Sequence, residues 1–539
     1  MRIIVRTAAL LTALAVSSMA IQATHASRVF GQQSHAAKVS YDPNATITMT
    51  TNADPIFDTW DPNAFAESDI INKLIFSGVT KWGLDGSAQG DLASSWSVSK
   101  NKLVWTFNLR KGVKWQDGKP FTSADVVYTY RDVVLNKATP TSKASVYSAV
   151  KTVRAKGANQ VQFVLNSPFS DLPAYLAYYA PVIPKHVLSG SNPFNNNQFN
   201  KVHPIGTGPY IMSKYTPGES ITLTRNPHYF GAEPKIKKII FKIIPTTTTE
   251  VSNLLSGGLD YINLTDPQYL PPLLNNSNFT VQKNADQTYY FAMVNTTVAP
   301  FNDVRVRQAL DYAIDKKAMI KAMLSGYGKV ASGPIAPLQK SFYSSKVQQY
   351  AYSPSKALKL LQAAGYTKDS SGNLMKNGQQ LSIDFTAGQI RFLVPASELI
   401  QRYWQALGIK VNLKVLDWNT YIQTVVVKRD YQASFAWWST PPAPDMYSYF
   451  SCTAAKGGYN LSGYCNSALD KAMNKGRAAI HVTQQKAAYA KVQTMLAKTV
   501  PLMFLFYPDS FNVVRKNLHA PHAGYGFAID HISDWYVAK

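Results

Sequence analysis

The chain has 539 residues, enough for several domain-sized cores, and its 46% apolar content with 10 Trp, 31 Tyr and 24 Phe excludes a disordered polymer. Charge is sparse at 16% and lopsided, with 31 acidic against 55 basic residues and a formal net charge of +24. A nucleic-acid binder would gather that excess into stripes, but the densest cluster, Lys235-Ile236-Lys237-Lys238, only abuts an apolar strand from Ile239 to Ile244, so nucleic acid is not an expected partner.

In chain order, residues 1–26 read as a signal peptide. Arg2 and Arg6 precede an apolar run from Ala8 to Val16, and small residues follow, ending at Ser18-Met19-Ala20 or Thr24-His25-Ala26. That run is too short for a retained membrane anchor. No cysteine lies near the cleavage region, so no N-terminal lipid anchor is expected. Leu103, Trp105, Phe107 and Leu109 alternate with Val104, Thr106 and Asn108, the period of a strand. Thr122 or Ser123 then caps a helix through Val126, Val127, Tyr130 and Val133-Val134. Thr246 to Thr249 open a short helix that stops at Gly257-Gly258.

An apolar strand follows at Tyr289 to Val294. Val304, Val306, Leu310, Ala313 and Ile314 make a helical stripe, and Asp315 caps a second helix, Lys316 to Leu324. Ser353-Pro354 opens a helix ending near Gly365, and Pro395 begins another, through Leu399, Ile400, Tyr403 and Trp404, closed by Gly408. Strands are expected at Ile409 to Val415 and Leu502 to Tyr507. This pattern is mixed α/β with several sheets. No low-complexity linker interrupts it, which suggests lobes joined by crossing strands.

Catalytic signatures are missing. There is no G-x-S-x-G, no H-E-x-x-H and no G-x-x-x-x-G-K-[ST]. Gly326-Tyr327-Gly328-Lys329-Val330-Ala331 fits G-x-G-x-x-A but follows a helix, so a helix C-cap and loop is expected there and not a dinucleotide turn. His519 and His522 have Pro521 between them, which disfavours a helical metal pair. No cofactor is expected. Two cysteines, Cys452 and Cys465, in an exported chain favour a disulfide, with two free thiols as the alternative.

Several segments, taken together, carry a specific pattern. They are TWDPNAF, the run at 91–130 from DLASSW to ADVVYTY, PIGTGPYIMSKYTPGESITLTRNPHYFG at 204–231, and FNDVRVRQALDYAIDKKAMI at 301–320. SPSKALKLLQAAGY, WQALGIKVNLKVLDW and FSCTAAKGGYNLSGYCNSALDKAM at 450–473 continue the pattern. Together these segments resemble the family 5 extracellular solute-binding proteins of ATP-driven importers, and the last resembles the cysteine-bridged loop of that family's peptide-binding members. The resemblance implies a two-lobed α/β periplasmic-binding-protein fold with mixed sheets and two interlobe crossing strands. Lobe I would hold 27–292, with an inserted subdomain, and 503–539; lobe II would hold 293–502. It implies capture of a peptide or peptide-like solute by lobe closure, and delivery to the membrane permease of an ABC importer by a monomeric protein outside the cytoplasm. The alternatives are a sugar oligomer, opine-like compound or metal chelate as ligand or, from another class, a secreted hydrolase.

For the site, the resemblance points to FAWWSTPPAPDMYSYF. Trp437 and Trp438 take the place of a ligand-pairing dipeptide, followed by Ser439 and Thr440. The carboxylate that relatives use for a peptide amine falls on Pro441, leaving Asp445 as the substitute in the same loop. Adjacent strand residues face opposite ways, so one Trp can pack inward while the other meets ligand. Asn52-Ala53-Asp54 matches a ligand-lining segment, or forms a plain Asx-type turn before Pro55. Arg391 lies where some relatives use Arg against a ligand carboxylate, or is a surface charge. The scarcity of acids leaves two expectations open: function in an acidic exterior, or attraction of a positive surface to anionic wall polymers.

Overall fold

The computed structural model describes residues 40–539 apart from 59, 62–65, 139–140, 142–143, 179–180, 191, 286, 391, 440–442 and 523–524. The expected signal peptide lies outside the described residues.

Alternating burial sets the strands of the first half. Strand β1 (Thr46–Thr51) buries Ile47 and Met49. Strands β2 (Ala93–Val98), β3 (Val104–Leu109), β4 (Val150–Ala155) and β5 (Gln160–Leu165) form an antiparallel sheet in the order β2-β3-β5-β4. Trp105, Phe107 and Leu109 point into its core, as the alternation predicts. Thr122 caps the helix after β3 through a reciprocal capping box with Asp125, and the helix widens into π turns from Tyr128 to Val134. Helix α1 (Leu172–Tyr178) follows β5. A second sheet joins β1 to β6 (Tyr210–Thr216), β7 (Ser220–Arg225) and β8 (Lys238–Ile243) in the order β1-β8-β7-β6, with β1 and β8 parallel. The lysine cluster flanks this sheet: Lys237 bonds Asn44 and Lys235 lies over the Tyr536 ring.

From residue 261 onward, most strands join one large sheet and helices flank it. They are β9 (Tyr261–Leu264), β10 (Phe279–Ala285), β11 (Thr288–Val294), α2 (Val304–Tyr312), α3 (Lys316–Leu324), β12 (Gly328–Val330), β13 (Ser382–Gly388), α4 (Leu393–Gln405), β14 (Lys410–Leu416), β15 (Ala433–Ser439), α5 (Ser467–Ala478), α6 (Val482–Thr499) and β16 (Leu502–Arg515). Its order is β9-β16-β11-β15-β13-β14, with β10 and β12 also on β16. The 14-residue β16 is shared between the lobes. Asp509 to Arg515 pair with β10, and Leu502 to Phe506 pair with β11. Phe511 and Val513 pack into a core with β9 and β10, while Met503, Leu505 and Phe506 pack with α2, α3 and α4. The fold is therefore two-lobed, with β16 and the β10–β11 run crossing side by side. At the crossing, apolar residues give way to buried polar ones, Asn284, Asp509 and Ser510, and Asp509 pairs with Lys283 at 2.8 Å.

Most termini follow their caps. Asp303 and Asp315 accept backbone N–H groups at the starts of α2 and α3. Ser325 and Gly326 take left-handed conformations after α3 and the chain enters β12, so the G-x-G-x-x-A segment is a helix stop and strand. One start differs from expectation: α4 begins at Leu393, not Pro395. Proline fits there because the first-turn N–H groups have no partner within the helix.

Cys452 and Cys465 are bridged. Cross-linking residues 13 apart should stabilise by about 3 kcal/mol in the chain-entropy account. Thiol labelling of denatured, unreduced protein should find no free cysteine, and reduction should lower the melting temperature. Two labelled thiols per chain would refute the bridge.

Candidate ligand-binding cleft

In open α/β sheets, ligands bind beyond the carboxyl ends of parallel strands, where loops and free backbone groups converge. In lobe II, β13 runs parallel to both β14 and β15, and the carboxyl ends fall at Gly388, Leu416 and Ser439. In lobe I, β1 and β8 end together at Thr51 and Ile243. The loops that follow carry the residues singled out in the sequence.

Asn52 and Ala53 are exposed just beyond β1. Their loop is held by Asp54, which accepts the Tyr215 hydroxyl at 2.7 Å and the Gly218 N–H at 2.9 Å. Asp54 is thus a structural tie. Arg391 and Thr440 lie outside the described residues, as does Pro441.

Trp437 and Trp438 are half-buried on opposite faces of β15. Trp437 stacks on Trp418 with centroids 5.6 Å apart, and Trp418 stacks on Tyr421 at 5.3 Å. Gly388 makes this possible, because a Cβ there would stand 2.9 Å from the Tyr421 ring and 3.0 Å from Trp418. On the other face Trp438 meets Tyr449 at 5.7 Å and Tyr459 at 5.4 Å. The Ser439 hydroxyl bonds Thr288 at 2.7 Å, tying the strand end to the crossing.

The edges of β15 are unequal. One pairs along its whole length with β11, from Thr288↔Ser439 to Val294↔Ala433. The other pairs with β13 only at Ala433 and Ser434. Among the described residues, Ala436 to Ser439 therefore keep an edge with no strand beside it, flanked by tryptophans above and below. An extended chain can add to such an edge through main-chain hydrogen bonds, with alternate side chains meeting the aromatic walls.

Asp445 lies on the other side of this loop, in a cluster where the lobes touch. Its carboxylate stands 3.2 Å from Arg477 Nε, and its backbone carbonyl accepts the Tyr175 hydroxyl at 3.2 Å. The Arg477 guanidinium lies between the rings of Phe169 and Tyr447, at 4.7 and 4.6 Å. Gln485 donates to Ser170 Oγ at 2.8 Å and Asp171 Oδ1 at 3.0 Å. Ser170 N–H bonds the Arg477 carbonyl, and Lys102 reaches the Ala478 carbonyl. Ala443 packs into the lobe I core. Burial raises Asp445 above the usual carboxylate range, while Arg477 opposes the rise. Its charge is thus committed to Arg477. The sequence reading missed Asp171, Arg477, Gln485 and Trp418; only Asp445, noticed as a carboxylate near the tryptophans, pointed toward the cluster.

Among the described residues no group of three His, Cys, Asp or Glu could hold a metal ion, and no helix is long and apolar enough to cross a membrane.

Known proteins share this architecture. The oligopeptide-binding protein AppA of Bacillus subtilis is 28% identical over 486 residues, 88% of each chain. Its structure with a nonapeptide superposes with a TM-score of 0.81, covering 93% of this chain and 100% of that one at 26% identity. The dipeptide-binding protein of Escherichia coli is 27% identical over 447 residues, covering 79% of this chain and 82% of its own. NikZ of Campylobacter jejuni, solved with Ni(L-His), is 26% identical with a TM-score of 0.78, covering 92% and 99%. Residues 87–460 match the bacterial extracellular solute-binding proteins, family 5 middle region, and with the fold and cleft described above this places the chain in that family.

Proposed function

We propose that this protein captures a peptide between its lobes by closing on it, and delivers it to the membrane permease of an ABC importer. The open edge of β15 between Trp437 and Trp438 carries this reading, because it offers main-chain pairing that does not depend on the peptide's sequence. Peptide ligands in AppA and the dipeptide-binding protein support it. In this reading residues 27–292 with 503–539 make up lobe I and residues 293–502 lobe II, with β11 and the first residues of β16 at the crossing packed on the lobe II side. Asn52, Ala53, Trp437, Trp438 and Ser439 are the ligand contacts of this reading, and Arg391 and Thr440, outside the described residues, are added to them from the sequence. With Asp445 committed to Arg477 and proline at 441, no carboxylate of this loop is left to pair a peptide ammonium. Backbone pairing and aromatic stacking then carry recognition. The protein works without catalysis, as a monomer exported by its signal peptide.

Native mass spectrometry of the purified protein, alone and with a mixture of synthetic peptides of two to nine residues, tests this. A peptide-mass adduct is expected, with a smaller radius of gyration by X-ray scattering on binding. Trp437→Ala and Trp438→Ala should each weaken binding about thirtyfold, the loss of a typical aromatic anchor. No adduct and an unchanged radius at saturating peptide would refute the reading.

A further inference from the structure

The contact between the lobes has an unbalanced charge inside it. Asp171 sits at the head of α1 in lobe I, and Asp445, Arg477 and Gln485 come from lobe II. Their exposures are 9%, 3%, 4% and 8%, so water is largely excluded. Among the described residues, Arg477 is the one cation of the cluster and stands against two carboxylates. Its Nε lies at ion-pair distance from Asp445, but its N–H is not aimed at that carboxylate as a hydrogen bond. Asp171 receives a hydrogen bond at Oδ1 from Gln485, while its Oδ2 is buried with no hydrogen-bond partner. Gln485 also donates to Ser170. The titratable groups facing Asp171 are Asp445, Arg477 and Tyr489 from lobe II and Tyr175 from its own helix, with Tyr449 facing Tyr175 in turn. Burying an ionised carboxylate with an unfilled oxygen beside another carboxylate is costly, and protonation removes that cost.

We propose that this cluster is a proton-operated latch, in which the closed lobes hold a proton on Asp171 that the open lobes release. The proposal rests on the reading that the lobes open and close. Parting them takes Gln485, Arg477 and Asp445 away from Asp171 and lets water reach it, which restores an ordinary carboxyl. In the closed arrangement, burial first and the Asp445 charge second raise Asp171 to about 7, against opposing contributions from Gln485 and Arg477. The closed form therefore binds the proton more tightly than the open form. The closed-to-open ratio grows as pH falls from about 7 toward the ordinary carboxyl value near 4, by at most about tenfold per pH unit, and is flat above 7. A solute taken up in an acidic medium would be held more firmly than one met at neutral pH.

X-ray scattering of the ligand-free protein between pH 5 and pH 8.5 tests the latch without any ligand. The wild-type radius of gyration should rise between about pH 5 and pH 7 and level off above that. Asp171→Asn, which keeps the acceptor for Gln485 without a titrating charge, should hold the small radius throughout. A wild-type radius that does not change with pH, or the same rise in Asp171→Asn, overturns the latch. A mixture of synthetic peptides of two to nine residues, added at pH 5 and at pH 8.5, then judges the peptide reading separately. If it neither binds nor, at pH 8.5 where the latch is released, reduces the wild-type radius, that reading fails, while the comparison of wild type with Asp171→Asn still decides the latch.

Discussion

Arg307→Ala is expected to destabilise lobe II by about 4 kcal/mol and to lower its melting temperature by about 10 °C. Arg307 is 3% exposed, and its hydrogen bonds go to main-chain carbonyls. Its guanidinium donates to the carbonyls of Thr499, Val500 and Phe301 through all three nitrogens, at 2.6 to 3.1 Å. Thr499 and Val500 end α6, and Val500 is left-handed, with φ of 47°, so these are carbonyls the helix itself cannot satisfy. The cation also meets the negative end of the α6 dipole. It lies 5.8 Å from the Tyr464 ring, beside the disulfide, and so ties α2, α6 and the bridged loop together. Truncation would leave several buried carbonyls without donors. Arg307→Lys should recover little, because one ammonium cannot reach carbonyls arranged around a planar fork. Arg305→Ala is the control. Arg305 is exposed and pairs with its neighbour Asp303 at the surface, and its loss should leave the melting temperature nearly unchanged. Thermal melts of the three variants check this, and an Arg307→Ala protein melting within about 2 °C of wild type, on the order of experimental scatter, would contradict it.

The second large effect is on pH dependence. Burial raises Asp91 to about 6 and Asp171 to about 7, and also raises Asp125, Glu250, Asp311, Asp445 and Asp470. Hydrogen bonds from Ser87, Arg305, Asn373 and Thr420 lower Asp85, Asp303, Asp369 and Asp417. A carboxyl raised in the folded protein binds its proton more tightly there than in the unfolded chain. It therefore adds stability as pH falls from about 7 toward 4. The lowered groups act oppositely, but only as pH drops through their own values below about 4. The melting temperature should accordingly hold or rise from pH 8 to pH 5 and fall only below about pH 4, where positive self-repulsion also grows. Asp91→Asn should raise stability at pH 7.5 by about 2 kcal/mol, with little effect at pH 4.5, because each tenfold difference in proton affinity between the folded and unfolded chain is worth about 1.4 kcal/mol. A scan of melting temperature from pH 3 to pH 8 decides between the two expectations for the charge. A plateau reaching down to about pH 3, around the values of unperturbed carboxyls, supports work in an acidic exterior. A steep fall from pH 5 leaves attraction to anionic surfaces as the explanation.

The parts legible in the sequence were those whose cause is local. Alternation at 103–109, the capping residues Thr122, Asp303 and Asp315, and the glycine after α3 each act through a few neighbouring bonds, and the elements formed there. The opposite facing of Trp437 and Trp438 followed from strand geometry alone. The rings each would meet did not, because Trp418, Tyr449 and Tyr459 come from other segments. Apart from Asp445, the interlobe cluster had no sequence signal. Asp171 and Gln485 are 314 positions apart, and neither stands in a motif. Asp445 looked like a free carboxylate because its neutralising arginine lies on a helix beyond the disulfide.

The strand that crosses between the lobes also governs the order of assembly. β16 supplies the pairing partner for β9, β10, β11 and β12, which come from both lobes. During synthesis every one of those strands is made long before its partner and waits with an unpaired edge. Neither half can finish its sheet until residues 502–515 emerge, so the last tenth of the chain completes both lobes together. Pairings of such long sequence separation form slowly. A nascent chain of this design stays open and threadable until its end is made, and in that interval its bare edges are exposed to aggregation.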